Sequence, residues 1–174
     1  GIVPTSSTIN QLSIGDALAV ATLSKKNISK KDFKKYHPSG SLGAKLKTVE
    51  DLMLTGKKIP FINENETMKK ALNIITKKNL GTLIAQNNKK QTTGIITDGQ
   101  IRRKTGEIPN IYNKKVKDIM TRNPISVDKD TLVEKALSIM YSRKITSLIV
   151  SGNSNKNKTI GIIHIHNILE NSSN

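Results

Sequence analysis

The chain has 174 residues, of which 29 are Lys or Arg and 13 are Asp or Glu, giving a net charge of +16. That length is enough for one domain or two small ones with a real core. The absence of cysteine excludes a disulfide scaffold and any Cys-ligated zinc or iron–sulfur site. No apolar run approaches the ~18 residues of a membrane span, and no basic-then-apolar leader is present. The chain opens on Gly1 rather than Met, as a fragment or a processed product does. Nothing in it points away from the cytoplasm.

The positive charge comes from 25 Lys and only 4 Arg. Lys, Asn and Ile together make 66 of the 174 residues, and A/T-rich codons favour these three. Nucleic-acid readers lean on Arg for bidentate contacts and on aromatics for stacking. Phe and Tyr total five here, so the expected surface is solvated lysine, with no nucleic-acid partner.

In chain order, Pro4-Thr5-Ser6-Ser7-Thr8 offers possible N-caps before an apolar helix over residues 9–23. Ser29-Lys30-Lys31-Asp32 reads as the capping box of a short second helix, which must stop before Pro38. The loop Tyr36-His37-Pro38-Ser39-Gly40-Ser41-Leu42-Gly43 follows, with a histidine beside small hydroxyl residues and glycines.

From there a repeat takes over. Val49-Glu50-Asp51-Leu52-Met53 returns as Val116-Lys117-Asp118-Ile119-Met120, and Lys70-Ala71-Leu72 as Lys135-Ala136-Leu137. Gly81-Thr82-Leu83-Ile84 matches Thr146-Ser147-Leu148-Ile149, and Gly94-Ile95-Ile96-Thr97 matches Gly161-Ile162-Ile163-His164. In each copy an apolar stripe at i, i+3, i+4, i+7 predicts a helix: Met68/Ala71/Leu72/Ile75 behind Thr67, and Val133/Ala136/Leu137/Met140 behind Thr131. Short apolar runs at 82–85 and 147–150, then 94–97 and 160–164, predict strand, turn, strand. A last helix begins near Gln100 and near Asn167. Each copy is therefore β-α-β-β-α, and neither buries a good core alone. The expected fold is an α/β (α+β) pair of copies packed face to face, over residues 48–108 and 113–172, with residues 1–47 outside the repeat.

This pattern resembles a CBS-domain pair, and the segments around it sharpen the match. Pro4-Thr5-Ser6-Ser7-Thr8, Gly15-Asp16-Ala17-Leu18, His37-Pro38-Ser39-Gly40-Ser41-Leu42-Gly43, Gly94-Ile95-Ile96-Thr97-Asp98-Gly99 and Arg143-Lys144-Ile145-Thr146-Ser147 occur in the same order in bacterial arabinose 5-phosphate isomerases. The resemblance implies that residues 1–47 are the end of a sugar isomerase (SIS) domain, an α/β sandwich whose remainder precedes Gly1. It implies interconversion of D-ribulose 5-phosphate and D-arabinose 5-phosphate for Kdo and lipopolysaccharide synthesis, with no cofactor. It also implies a homo-oligomer, at least a dimer of the CBS pair and a tetramer for the intact enzyme. On its own the fragment is expected to be inactive. The competing readings are a stand-alone CBS ligand sensor without catalysis and a basic nucleic-acid-binding protein.

Aldose–ketose isomerisation moves a proton between neighbouring carbons, and histidine titrates in the range that task needs. The resemblance assigns the catalytic role to His37; Ser39 stands where relatives commonly carry Gly. Thr5, Ser6, Ser7 and Thr8 at a helix start suit a sugar phosphate. His164 and His166, read as i and i+2 on one strand, would share a face. Zinc needs a third ligand and the only other histidine is His37, so no metal is expected. CBS pairs often bind adenosine nucleotides in the cleft between copies, and for an enzyme at the start of its pathway a nucleotide sugar such as CMP-Kdo is the expected feedback ligand there. The candidate cleft residues are Asn65, Thr97, Asp98, Arg102, Asp118, His164 and Asn167. CBS pairs usually grip ribose with an Asp where this chain has Gln100 and Asn167, and an amide offers only one acceptor oxygen.

Overall fold

The computed structural model describes residues 4–28, 32, 46–152 and 155–171. They fall into two compact units, residues 1–46 and 47–174. His37 and the capping box over residues 29–32 lie, except for Asp32, outside the described residues.

In the first unit a single helix, α1 (Thr5–Lys25), begins at Pro4, whose ring-fixed φ of −78° is already helical. The expected cap cluster is thus corrected: Thr5, Ser6, Ser7 and Thr8 form the helix's first turn. The Thr8 hydroxyl turns back rather than forward, its Oγ1 donating to the Pro4 carbonyl at 2.5 Å. Within its own unit α1 buries no residue, and Ile9, Leu12, Ile14, Leu18 and Val20 stand exposed.

The second unit holds the repeat. The first copy runs α2 (Val49–Leu52), β1 (Phe61–Asn63), α3 (Met68–Lys78), β2 (Thr82–Gln86), β3 (Thr92–Thr97) and α4 (Asp98–Glu107). The second runs α5 (Val116–Ile119), β4 (Thr121–Arg122), β5 (Ser126–Asp128), α6 (Val133–Arg143), β6 (Ser147–Gly152), β7 (Asn155–His164) and α7 (Ile165–Glu170). Each sheet is built alike: β1 pairs parallel with β2 and β2 antiparallel with β3, as β5 pairs parallel with β6 and β6 antiparallel with β7.

Local chemistry accounts for the helices. Thr67 caps α3 by accepting the Lys70 amide, while Met68, Ala71 and Ile75 of the stripe are buried. The helix ends at Asn79 in the left-handed region (φ 52°), which Asn tolerates. Its counterpart α6 buries Ala136 and Met140 and ends at Lys144, also left-handed (φ 53°). A left-handed lysine is uncommon and needs its surroundings to hold it there.

The copies do not each keep their own opening helix. Val49 of α2 packs in the core of the second copy, with Ala136, Met140, Leu148 and Ile163. Val116 and Ile119 of α5 pack in the core of the first, with Met68, Ile75, Leu83 and Ile96. Backbone bonds repeat the exchange. Val49 N–H donates to the Thr131 carbonyl (2.8 Å) and Glu50 N–H to that of Lys129 (2.9 Å). Val116 and Lys117 donate in the same way to Glu66 and Glu64, both at 2.9 Å. Beyond α5, β4 joins the first sheet beside β3. Where the copies meet, Ile84, Ile149, Ile162 and Ile59 form a third core. Repeat-equivalent hydroxyls also meet there, Thr82 with Ser147 (3.1 Å) and Thr92 with Thr159 (2.6 Å).

The exchange explains the glycine in each Gly-Ile-Ile strand. A β-carbon on Gly94 would stand 2.5 Å from Met120 Sδ and 2.9 Å from the Thr121 carbonyl oxygen. On Gly161 it would stand 2.5 Å from Met53 Sδ but 3.2 Å from the Leu54 carbonyl oxygen. A thioether can swing aside and a backbone carbonyl cannot. Gly94→Ala is therefore expected to destabilise by about 1–3 kcal/mol and Gly161→Ala by less, as read from urea-unfolding midpoints at constant m.

Candidate ligand cleft

A cleft of about 560 Å³ lies between the copies of the repeat unit, within the usual size of small-molecule sites. One wall is the start of α4, with Thr97, Asp98, Gly99 and Arg103. Another is the turn after α6, with Lys144, Ile145, Thr146 and Ser147, and His164 closes that side. Thr121, Asn123, Pro124 and Ile125, between the exchanged helix α5 and β5, make the third wall.

The first wall is built by a close approach. Gly81 has φ +59°, and a β-carbon there would meet Asp98 Oδ2 at 3.2 Å. Its carbonyl accepts the Asp98 amide at 3.0 Å. Thr97 Oγ1 caps α4 by accepting the Gln100 amide at 3.3 Å. Arg103 lies back along α4, its Nη1 3.6 Å from where a Gly99 β-carbon would be. The polar lining thus mixes two cations, Arg103 and Lys144, one carboxylate, Asp98, and the hydroxyls of Thr97, Thr121, Thr146 and Ser147. Such a set suits an anionic, hydroxyl-bearing ligand.

Of the residues singled out from sequence, Thr97, Asp98 and His164 line this cleft. Arg102 does not, and Arg103 takes its place. The helix begins at Asp98 rather than near Gln100, and one residue turns a helix face by about 100°. Asn65 lies elsewhere, in a shallow depression with Glu64, Asn87, Asn88, Lys89 and Gln91. Asp118 is on the exposed side of α5, because Val116 and Ile119 take the inward positions. Asn167 turns to its own helix start, where Oδ1 accepts the His164 amide at 3.3 Å. His166 is not on the strand with His164: β7 ends at His164 and His166 lies in the first turn of α7. Their rings stack, with centroids 5.0 Å apart and planes at 24°. Lys144, Thr146 and Ser147 were legible as part of the run at 143–147, though not as cleft lining. Asn123 carried no signal. Among the described residues no cluster of three or more His, Cys, Asp or Glu is placed to hold a metal, and no helix is long and apolar enough to cross a membrane.

Gln100 and Asn167, at the positions where CBS pairs usually carry a ribose-gripping Asp, both bond the backbone. Gln100 is buried, and its Nε2 donates to the Ile119 carbonyl at 2.6 Å. Gln100 therefore ties α4 to the exchanged helix α5.

Comparison with known proteins bears on this geometry. The family model described as CBS domain matches residues 49–107 and 116–174. Arabinose 5-phosphate isomerase KdsD of Yersinia pestis and that of Escherichia coli (strain K12) are each 38% identical over 170 residues, 97% of this chain and 51% of the relative. Uncharacterized protein RP505 of Rickettsia prowazekii is 34% identical over 166 residues, 95% of this chain and 50% of the relative. The chain thus spans about half the length of the curated relatives it matches. Among solved structures, CBSX2 from Arabidopsis thaliana in complex with AMP superposes with a TM-score of 0.64, at 23% identity, over 72% of this chain and 96% of that one. The CBS domain pair of MJ0100 in complex with 5′-methylthioadenosine and S-adenosyl-L-methionine gives 0.64, at 21% identity, over 74% and 97%.

Gln100→Glu tests the commitment of that side chain. The substitution keeps the shape and replaces the donor with an ionised oxygen facing a carbonyl. It is expected to cost about 1–3 kcal/mol near neutral pH. The deficit against wild type should shrink as the pH falls into the glutamate range and the carboxyl regains a proton to donate. Urea unfolding of both proteins at several pH values reads this directly.

Proposed function

This chain belongs to the CBS-domain family, and on that footing we propose that it is the ligand-responsive end of an arabinose 5-phosphate isomerase. One observation carries the reading. The likeness to the isomerases covers 170 residues, whereas the CBS model begins at residue 49. The match therefore runs through a leading segment that a plain CBS sensor has no need of.

In the intact protein, residues 1–47 complete a sugar isomerase domain and His37 supplies an acid/base group for proton transfer between C1 and C2. Thr5, Ser6, Ser7 or Thr8 contributes to the sugar-phosphate site. The reaction interconverts D-ribulose 5-phosphate and D-arabinose 5-phosphate, in the cytoplasm, toward Kdo and lipopolysaccharide. The working assembly is a tetramer. In full-length protein, His37→Ala should lower kcat/KM for ribulose 5-phosphate by ~10²–10⁴. A loss below threefold at unchanged stability would remove the catalytic assignment.

The cleft holds the regulator. Arg103, Lys144 and the hydroxyls around them support an anionic sugar nucleotide such as CMP-Kdo. Gln100 and Asn167 are amides, and one polar atom of each already bonds the backbone, so neither position offers a carboxylate to take both hydroxyls of an adenosine ribose. A ligand at a hundredfold excess over its Kd stabilises by about 2.7 kcal/mol. In thermal-shift assays of the chain, CMP-Kdo is expected to raise Tm more than AMP or ATP does. Strong stabilisation by ATP with none by the sugar nucleotide would overturn this choice of ligand.

A further inference from the structure

The two copies cap the helix at their cleft differently. In the first, the hydroxyl of Thr97 accepts the Gln100 amide at the start of α4. In the second, the equivalent residue is His164, whose Nδ1 accepts the His166 amide at 3.3 Å at the start of α7. Asn167 Oδ1 answers by accepting the His164 amide, closing a capping box. A hydroxyl can accept at every ordinary pH. An imidazole nitrogen accepts only while it lacks a proton, so this bond requires the neutral tautomer protonated at Nε2.

We propose that His164 is a proton-sensitive helix cap: acidification places a proton on Nδ1, breaks the bond to the His166 amide and loosens the start of α7 at the wall of the ligand cleft, while the Thr97-capped helix across the cleft stays fixed. This goes beyond the ligand reading and its test needs no ligand. The groups around His164 are few. On its own helix His166 stacks against it. Its cross-strand neighbour on β6 is Ser147, which does not titrate in this range. Across the cleft stand Asp98 and Arg103 of α4, and on the same side lies Lys144 at the end of α6. Burial first, and then the field of His166, hold the His164 imidazole below its ordinary 6.5. The folded state thus favours the neutral, capping form. The stability tied to it is fully present above about 6.5 and is lost as the pH falls through the depressed folded value.

The experiment is NMR on the full chain between pH 5 and 7.5, following the His164 ring and the hydrogen-exchange protection of the His166 and Asn167 amides. The ring should titrate below 6.5. Protection of the two amides should drop about fivefold across that midpoint, as for loss of a typical helix cap, while the Gln100 amide under Thr97 shows no matching step. His164→Thr installs the first copy's cap and should make the protection independent of pH. His166→Ala should keep the step and move its midpoint upward, since a neighbouring positive charge is gone. A His164 midpoint at or above 6.5, protection that stays flat through the midpoint, or an unaltered step in His164→Thr would each overturn the proposal.

Discussion

Everything in the repeat unit depends on one exchange: each copy's opening helix is buried in the other copy's core. Burying a side chain such as Val49 or Ile119, both fully enclosed, is worth about 1.5–3 kcal/mol. The same segments also donate two backbone bonds each across the exchange. Neither copy could give up its partner without exposing apolar surface and unpairing amides together. The methionines that close each opening segment, Met53 and Met120, then lie over Gly161 and Gly94. That contact brings β4 beside β3 and carries residues 121–125 to the cleft, so the third cleft wall is a product of the exchange.

The cleft departs from the two-fold likeness of its frame. Thr97 and His164 are equivalent in sequence and both cap a helix, yet one does so with a hydroxyl and the other with an imidazole. Gln100 and Asn167 are equivalent too, but the first reaches across to the Ile119 carbonyl and the second folds back on the His164 amide. Arg103 has no basic counterpart at Glu170, three helical positions beyond Asn167 as Arg103 is beyond Gln100. Polarity is therefore concentrated on one copy's helix start and the other copy's turn.

Much of this was legible in the residues. The alternation and helical stripes gave both β-α-β-β-α units, because burying one face leaves a periodic mark. The exchange left none: Val49 donating to Thr131 is a backbone bond, and either Val-x-x-Leu/Ile segment fits either core. The cleft was partly legible because Thr97 and Asp98 follow a strand signal. Arg102 and Arg103 are neighbours on α4 and only Arg103 lines the cleft, a difference of one helical step that residue type alone does not mark. At His166 an apolar run that goes on through Ile165 hides the point where the strand becomes a helix.

The exchange also sets an order on synthesis. Val49 leaves the ribosome long before Thr131 and Lys129, which hold its helix, and the first copy's own core waits for Val116 and Ile119. A nascent chain halted between the copies would carry three strands and two helices with a vacant slot in their core and a loose opening segment with nowhere to dock. Such a chain cannot finish one module before starting the next, so folding is completed late and by both copies together. The same wiring constrains descent by duplication: a gene that lost either repeat would lose part of both cores, so the pair is inherited as one object.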